Sequence, residues 1–261
     1  MLWVGWPFFH RYGAAQCAHE ATISIEPLQR NLVSVDCHNR KIGWRWSLGP
    51  AVHSDATLKS RDFLEVALTY ALVLLAIWTT NPLQSWLSWI ILAWVVAATA
   101  ASGQDARTLG LRPVCLRRSL WIIGIATALA VWIATQVHIP YALPGGMLTV
   151  SRTMGYLTWA FSQQFLLQDF FLLRLLRLLS SKTAAVIIAA VLFATAHIPN
   201  PFLVVVTLLW GGVACALFLR YRNLYALGIA HGILGICLAV AVPNAVHHGM
   251  RVGHAYLHYH P

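Results

Sequence analysis

Charge is what this chain lacks. Asp, Glu, Lys and Arg together make up 10% of its 261 residues, and only eight residues are acidic. A soluble domain carries about a quarter. With 59% hydrophobic residues and a mean hydropathy of +0.65, that shortage excludes an ordinary soluble domain. A disulfide framework is also missing, because Cys17, Cys37, Cys115, Cys215 and Cys237 are odd in number and contain no C-x-x-C pair, so they read as reduced thiols. No phosphate-cradling glycine loop and no haem motif occurs, and no cofactor is expected.

What is present is a series of apolar runs of about 17 to 22 residues, each long enough at about 1.5 Å per residue to cross the hydrocarbon layer. They predict an all-α, polytopic transmembrane bundle with spans near 63–79, 86–101, 119–137, 154–176, 183–197, 202–219 and 223–242. The breaks fall at Asn81-Pro82, Ile139-Pro140, Pro144-Gly145-Gly146 and Ile198-Pro199-Asn200-Pro201, where proline cannot continue a hydrogen-bonded helix. Gly211, Gly212, Cys215 and Ala216 on the sixth span, and Gly228, Gly232 and Gly235 on the seventh, are the small residues that let membrane helices approach closely.

The net charge of +10 does not read as a nucleic-acid surface, because Lys and Arg sit in alternate connections. With the N-terminus inside, sixteen of the eighteen fall on one side and only Arg152 and Arg251 on the other. That asymmetry predicts an N-in, C-out topology in a lipid bilayer, with the bacterial cytoplasmic membrane as the expected location. Residues 1–62 read as a cytosolic, disordered leader broken by Glu20, Glu26, Asp36 and Lys41; a start downstream of Met1 is the alternative. Cys17, His19, Cys37 and His38 match no zinc-finger spacing. The stretch 246–261, with His247, His248, His254, His258 and His260, reads as an external His-rich tail without function, and a metal site there is the weaker alternative.

Polar side chains inside the apolar spans are costly unless they face a packed interior, so they mark the candidate site. Gln164 and Gln168 lie four apart on one helix face, Gln163 about 100° round, His197 at the end of the fifth span and His231 about two turns into the seventh. In the bland reading the glutamines tie helices together and the histidines cap neighbouring carbonyls. The shortage of acidic residues near this cluster counts against a small transporter. With two histidines and no evident third ligand at that depth, no metal is expected.

Gln163-Gln164-x-x-x-Gln168, Phe193-x-x-x-His197 and His231-x-x-x-Gly235, with 34 residues from Gln163 to His197 and another 34 to His231, resemble the motifs of the CPBP family. These CAAX protease and bacteriocin-processing membrane proteins carry E-E-x-x-x-R, F-x-x-x-H and H-x-x-x-N on successive helices. The similarity covers about 150–245, with Leu109-Gly110-Leu111 as a further familial junction. It implies an intramembrane endopeptidase homologue, with His197, His231, Gln163, Gln164 and Gln168 as site residues and a peptide or membrane-protein segment as substrate. In the family a Glu and a His activate water, while the second His and the Asn steady the oxyanion. Here Gln163 and Gln164 replace the two Glu, Gln168 the Arg and Gly235 the Asn.

Glutamine orients a water but has no site that accepts its proton near neutral pH, so hydrolysis in this chain requires a neutral histidine as base, an assignment compatible with an unperturbed pKa of about 6.5. The alternative is a non-catalytic adaptor or pseudoprotease that binds segments without cutting them. A second register, Asp169-x-x-x-x-Arg174, leaves only 28 residues to His197. The Gln163 register is preferred, with Asp169 expected about 140° round from Gln164, paired to an Arg or Lys at the inner end. For topology, a reporter fused after Arg222 is expected in the cytoplasm and one after Pro261 outside; the reverse pattern in a reporter assay contradicts the orientation.

Overall fold

A computed structural model describes residues 56–112, 116–136 and 150–259, and among them every regular element is helical. The long helices are α1 (Ala56–Ile77), α2 (Leu83–Ala101), α3 (Leu116–Gln136) and α4 (Val150–Phe165). A π-helix, Leu166–Leu172, continues α4 directly into α5 (Leu173–Leu178). Then come α6 (Lys182–Thr195), α7 (Pro201–Tyr221), α8 (Leu224–Ala241), α9 (Asn244–His247), a 3₁₀ turn (His248–Met250) and α10 (Gly253–Leu257). Four of these, α2, α3, α7 and α8, are long and apolar enough to cross a membrane. The expected leader up to residue 55, Cys115, the Ile139-Pro140 and Pro144-Gly145-Gly146 breaks and His260 lie outside the described residues.

Local chemistry explains the helix ends. The side chains of Ser181, Asn200 and Asn223 accept the backbone N–H of Ala184, Leu203 and Ala226, which satisfies donors that a helix start leaves open. Pro201 occupies the first turn of α7, where no N–H is needed. Arg222 ends that helix in the left-handed region at φ 45°, so α7 turns into α8 within two residues. The turn rests on the Leu109-Gly110-Leu111 junction, where the Leu224 N–H donates to the Gly110 carbonyl at 3.1 Å. In the same connection the hydroxyl and N–H of Thr108 hold the Asp105 carboxyl below the ordinary range.

The π-helix is the centre of the molecule. Residues 167–172 are all buried, and the segment meets α2, α4, α5, α6 and α7. Leu167 and Leu172 enter one apolar core with α3, α6, α7 and α8, whereas Phe170 and Phe171 enter a second with α1 and α2. Around it α6 packs on α7, α8 lies against both α3 and α4, and α1 lies against α2 and α5. Trp86, Trp132 and Leu209 are among the large apolar side chains left on the outside, as a bilayer-facing surface requires.

The first helix corrects one expectation. Residues 56–62, assigned from sequence to the leader, are the opening turns of α1. Polar residues made them read as loop, but those residues are tied inward. The Asp62 carboxylate accepts two bonds of 2.6 Å from Arg177, and Glu65 accepts one of 2.7 Å from Arg174 and another of 2.7 Å from Arg61. Arg174 is fully buried and lies 3.7 Å over the Phe170 ring, so Glu65 is the counter-charge that makes its burial tolerable. Glu65→Ala is therefore expected to lower stability by about 3–5 kcal/mol. Asp62→Ala, facing the more exposed Arg177, is expected to cost about 1 kcal/mol or less. Thermal unfolding of both variants in detergent checks the order, and an Asp62 variant that is the less stable contradicts it.

Candidate functional site

Three helices bring the sequence-selected residues into two adjoining groups. In the first, the Gln168 Nε2 donates to the Gln164 Oε1 at 3.2 Å, and the Gln164 Nε2 donates to the His231 Nδ1 at 3.0 Å. The i, i+4 pairing of the two glutamines is the one their spacing predicts, and all three side chains are buried. With the amides in this orientation Nδ1 of His231 is the acceptor, since an amide nitrogen has no lone pair to offer, and the ring proton sits on Nε2.

In the second group His197 and Gln163 line a cavity of about 200 Å³. The His197 Nδ1 donates to the Phe193 carbonyl at 2.7 Å, one turn back on α6. This is the carbonyl cap of the bland reading, and it has a consequence: the proton is fixed on Nδ1, which leaves Nε2 of a neutral ring with its lone pair free. The two histidines are thus held in opposite tautomers. Phe193 stands between them, its ring centroid 5.0 Å from that of His197 and 6.0 Å from that of His231. His231 also lies beside Trp210, at 5.9 Å.

The cavity walls come from α1, α2, α4, the π-helix and the end of α6, with Tyr70, Ser88, Ile91 and Phe171 among them. Sequence reasoning did not place α1 and α2 at the site, because their apolar side chains carry no motif. One signal was available: Tyr70 and Thr195 are polar residues within apolar runs, and their hydroxyls meet at 2.6 Å.

Glycine at 235 has a structural reason. A Cβ there would overlap the hydroxyl of Tyr156 on α4, which fills the space an asparagine side chain would need. Gly228 and Gly232 receive Phe161 and Leu157 of the same helix, so the glycine row of α8 is a seat for α4. Gly211 approaches Ala190 of α6, whereas Gly212 has open space around it.

Asp169 departs from the expectation of an ion pair at the inner end. Its side chain is fully buried and neither carboxylate oxygen has a hydrogen-bond partner. Arg222 is the cation that acts on it electrostatically. The reason is the π-helix, whose wider turn changes the azimuth of every residue after Leu166 from the α-helical value used to place it. Asp169 follows Gln168 in the chain, but no hydrogen bond joins its carboxylate to the Gln168–Gln164–His231 row.

Among the described residues no group of three or more His, Cys, Asp or Glu stands together as a metal site requires. The rings of His254 and His258 stack at 4.1 Å, and Nδ1 of His258 bonds the His254 carbonyl.

Residues 146–237 match the family model described as Type II CAAX prenyl endopeptidase Rce1-like. No curated protein and no solved structure matches the chain. The matched stretch runs from α4 through most of α8 and contains Gln163, Gln164, Gln168, His197, His231 and Gly235. The stretch that carries the candidate site is thus similar to the Rce1-like endopeptidases, which is consistent with the CPBP family of membrane proteases.

Proposed function

We propose that this integral membrane protein is an intramembrane endopeptidase in which His197, not a glutamate, is the general base. The supporting observation is the His197 tautomer: its Nδ1 proton is committed to the Phe193 carbonyl, so the lone pair on Nε2 is the one basic nitrogen this ring has to offer. Gln163 shares that cavity and orients the water. The water oxygen attacks the scissile carbonyl carbon while its proton passes to Nε2; the same proton then goes to the leaving amine as the C–N bond breaks. His231, whose Nδ1 lone pair is occupied by Gln164, has only an N–H to give, which suits a donor to the developing oxyanion and not a base. Its ring centroid stands 6.0 Å from that of Phe193, which lines the cavity.

The substrate in this reading is a peptide or membrane-protein segment with an apolar side chain for the cavity. Seven spans, N-in and C-out, in a bacterial cytoplasmic membrane complete the proposal. The orientation is supported by the charge asymmetry. The replacement of both family glutamates favours one rival, an adaptor that binds such segments without cutting them.

Purified protein in liposomes, given a library of lipid-inserted fluorogenic peptides, tests the choice. His197→Ala is expected to slow cleavage by about 10²–10⁴-fold. Gln163→Ala is expected to slow it by roughly tenfold, because it loses only the positioning of water. Melting temperatures should change little. Capture of peptides without cleavage by the wild type establishes the adaptor instead.

The amide row yields a second expectation. Gln164→Glu removes the N–H that holds His231, and a carboxylate in its place demands the proton on Nδ1, so Gln163→Glu with Gln164→Glu should not raise activity. Adding Gln168→Arg supplies the positive partner and should raise it. A double-Glu variant that is fully active without that Arg shows the three glutamines are not one coupled replacement.

A further inference from the structure

The C-terminal segment following α8 was read from sequence as a tail without function, and it lies beyond the stretch that matches the protease family. The structure places it elsewhere. Val252 is one of the residues lining the cavity that contains His197 and Gln163. Three independent attachments hold it there. The Asn200 Nδ2 donates to the carbonyls of His247 at 2.8 Å and Arg251 at 3.0 Å, while its Oδ1 caps α7. The Gly253 N–H donates to the Ile198 carbonyl at 3.0 Å. Gly253 also sits so tightly on the end of α1 that a Cβ would overlap Ile77, and its φ of +52° disfavours any other residue.

Both hydrogen-bonding anchors, Ile198 and Asn200, belong to the turn that follows His197. The same few residues that carry the proposed base therefore clamp the segment that contributes Val252 to the cavity wall. His247 adds to the clamp, since its Nδ1 accepts the Met250 N–H at 3.1 Å and its side chain is almost wholly buried.

We infer that residues 244–257 form a fixed outer wall of the cavity and that Val252 is a specificity-determining residue, setting the size of the apolar group that reaches His197. Gly253 is the positioning residue that seats this wall against α1. The inference rests on the cavity being the reacting space, as proposed above, but its test does not require catalysis.

A single cysteine at Ala196→Cys, beside His197 on the cavity wall, is placed in a full-length chain whose native cysteines are replaced by serine or alanine. Its labelling by a water-soluble methanethiosulfonate reagent is then timed in liposomes. Gly253→Val, which cannot keep its seat, is expected to speed labelling about tenfold. Val252→Trp fills the cavity and is expected to slow it, and Val252→Ala to speed it. If Gly253→Val fails to fold, the Val252 pair decides alone. Equal labelling in Val252→Ala and Val252→Trp, with both melting as the parent does, overturns the inference. Where cleavage is measurable, the same pair should shift the preferred apolar residue of the peptide. Labelling that responds as stated in a protein that cuts nothing leaves the wall in place and removes only the peptidase reading.

Discussion

A polar group inside an apolar bundle has no water to fall back on, and each one here must find its partner in another helix or in its own. This constraint decides the centre of the molecule. Leaving a buried donor or acceptor without a partner costs about 1–3 kcal/mol, and a buried charge costs more. The Gln168–Gln164–His231 row meets most of the constraint with neutral groups, and the Glu65–Arg174 pair meets most of it with opposite charges less than two turns beyond Gln168 on the same continuous helix. The π-helix, which contains Gln168, turns Leu167 and Leu172 towards one core and Phe170 and Phe171 towards the other. Unpartnered atoms remain, among them the Gln168 Oε1, the Arg174 Nη2 and both carboxylate oxygens of Asp169, which lies within the π-helix itself.

The same constraint assigns chemistry. A histidine offers one donor and one acceptor when neutral, and each partner at Nδ1 dictates what Nε2 can do. Phe193 accepts from His197 and Gln164 donates to His231, so the two rings leave opposite functions available. Replacing a family glutamate by glutamine therefore does more than remove a base. A glutamine at 164 gives the Nδ1 of His231 a donor where a carboxylate could only accept, and in the proposed reading the proton-accepting role falls to His197, the imidazole whose lone pair remains free.

Much of this was readable from the sequence. The breaks at Asn81-Pro82 and Asn200-Pro201, the i, i+4 pairing of Gln164 with Gln168 and the glycine row of α8 follow from proline chemistry, helical period and close packing, and each stands where expected. What the sequence withheld has physical causes. A π-helix leaves no periodicity in the sequence to find, so the burial of Asp169 within it, without the expected ion pair, was not legible. Asp62 read as leader because its partner, Arg177, is far along the chain and only folding joins them. Val252 carries no motif, and its place in the cavity wall depends on a hydrogen bond to Ile198 from its neighbour Gly253.

The pair of opposite tautomers can be read without any substrate. In protein carrying ¹⁵N-labelled histidine, with His197 and His231 assigned by single substitution, ring nitrogen chemical shifts in lipid at neutral pH distinguish a protonated from an unprotonated Nδ1. The account predicts that His197 carries its proton on Nδ1 and His231 on Nε2, and that Gln164→Glu moves the His231 proton to Nδ1. Finding both rings protonated on Nε2, or the His231 assignment unaffected by that substitution, contradicts it.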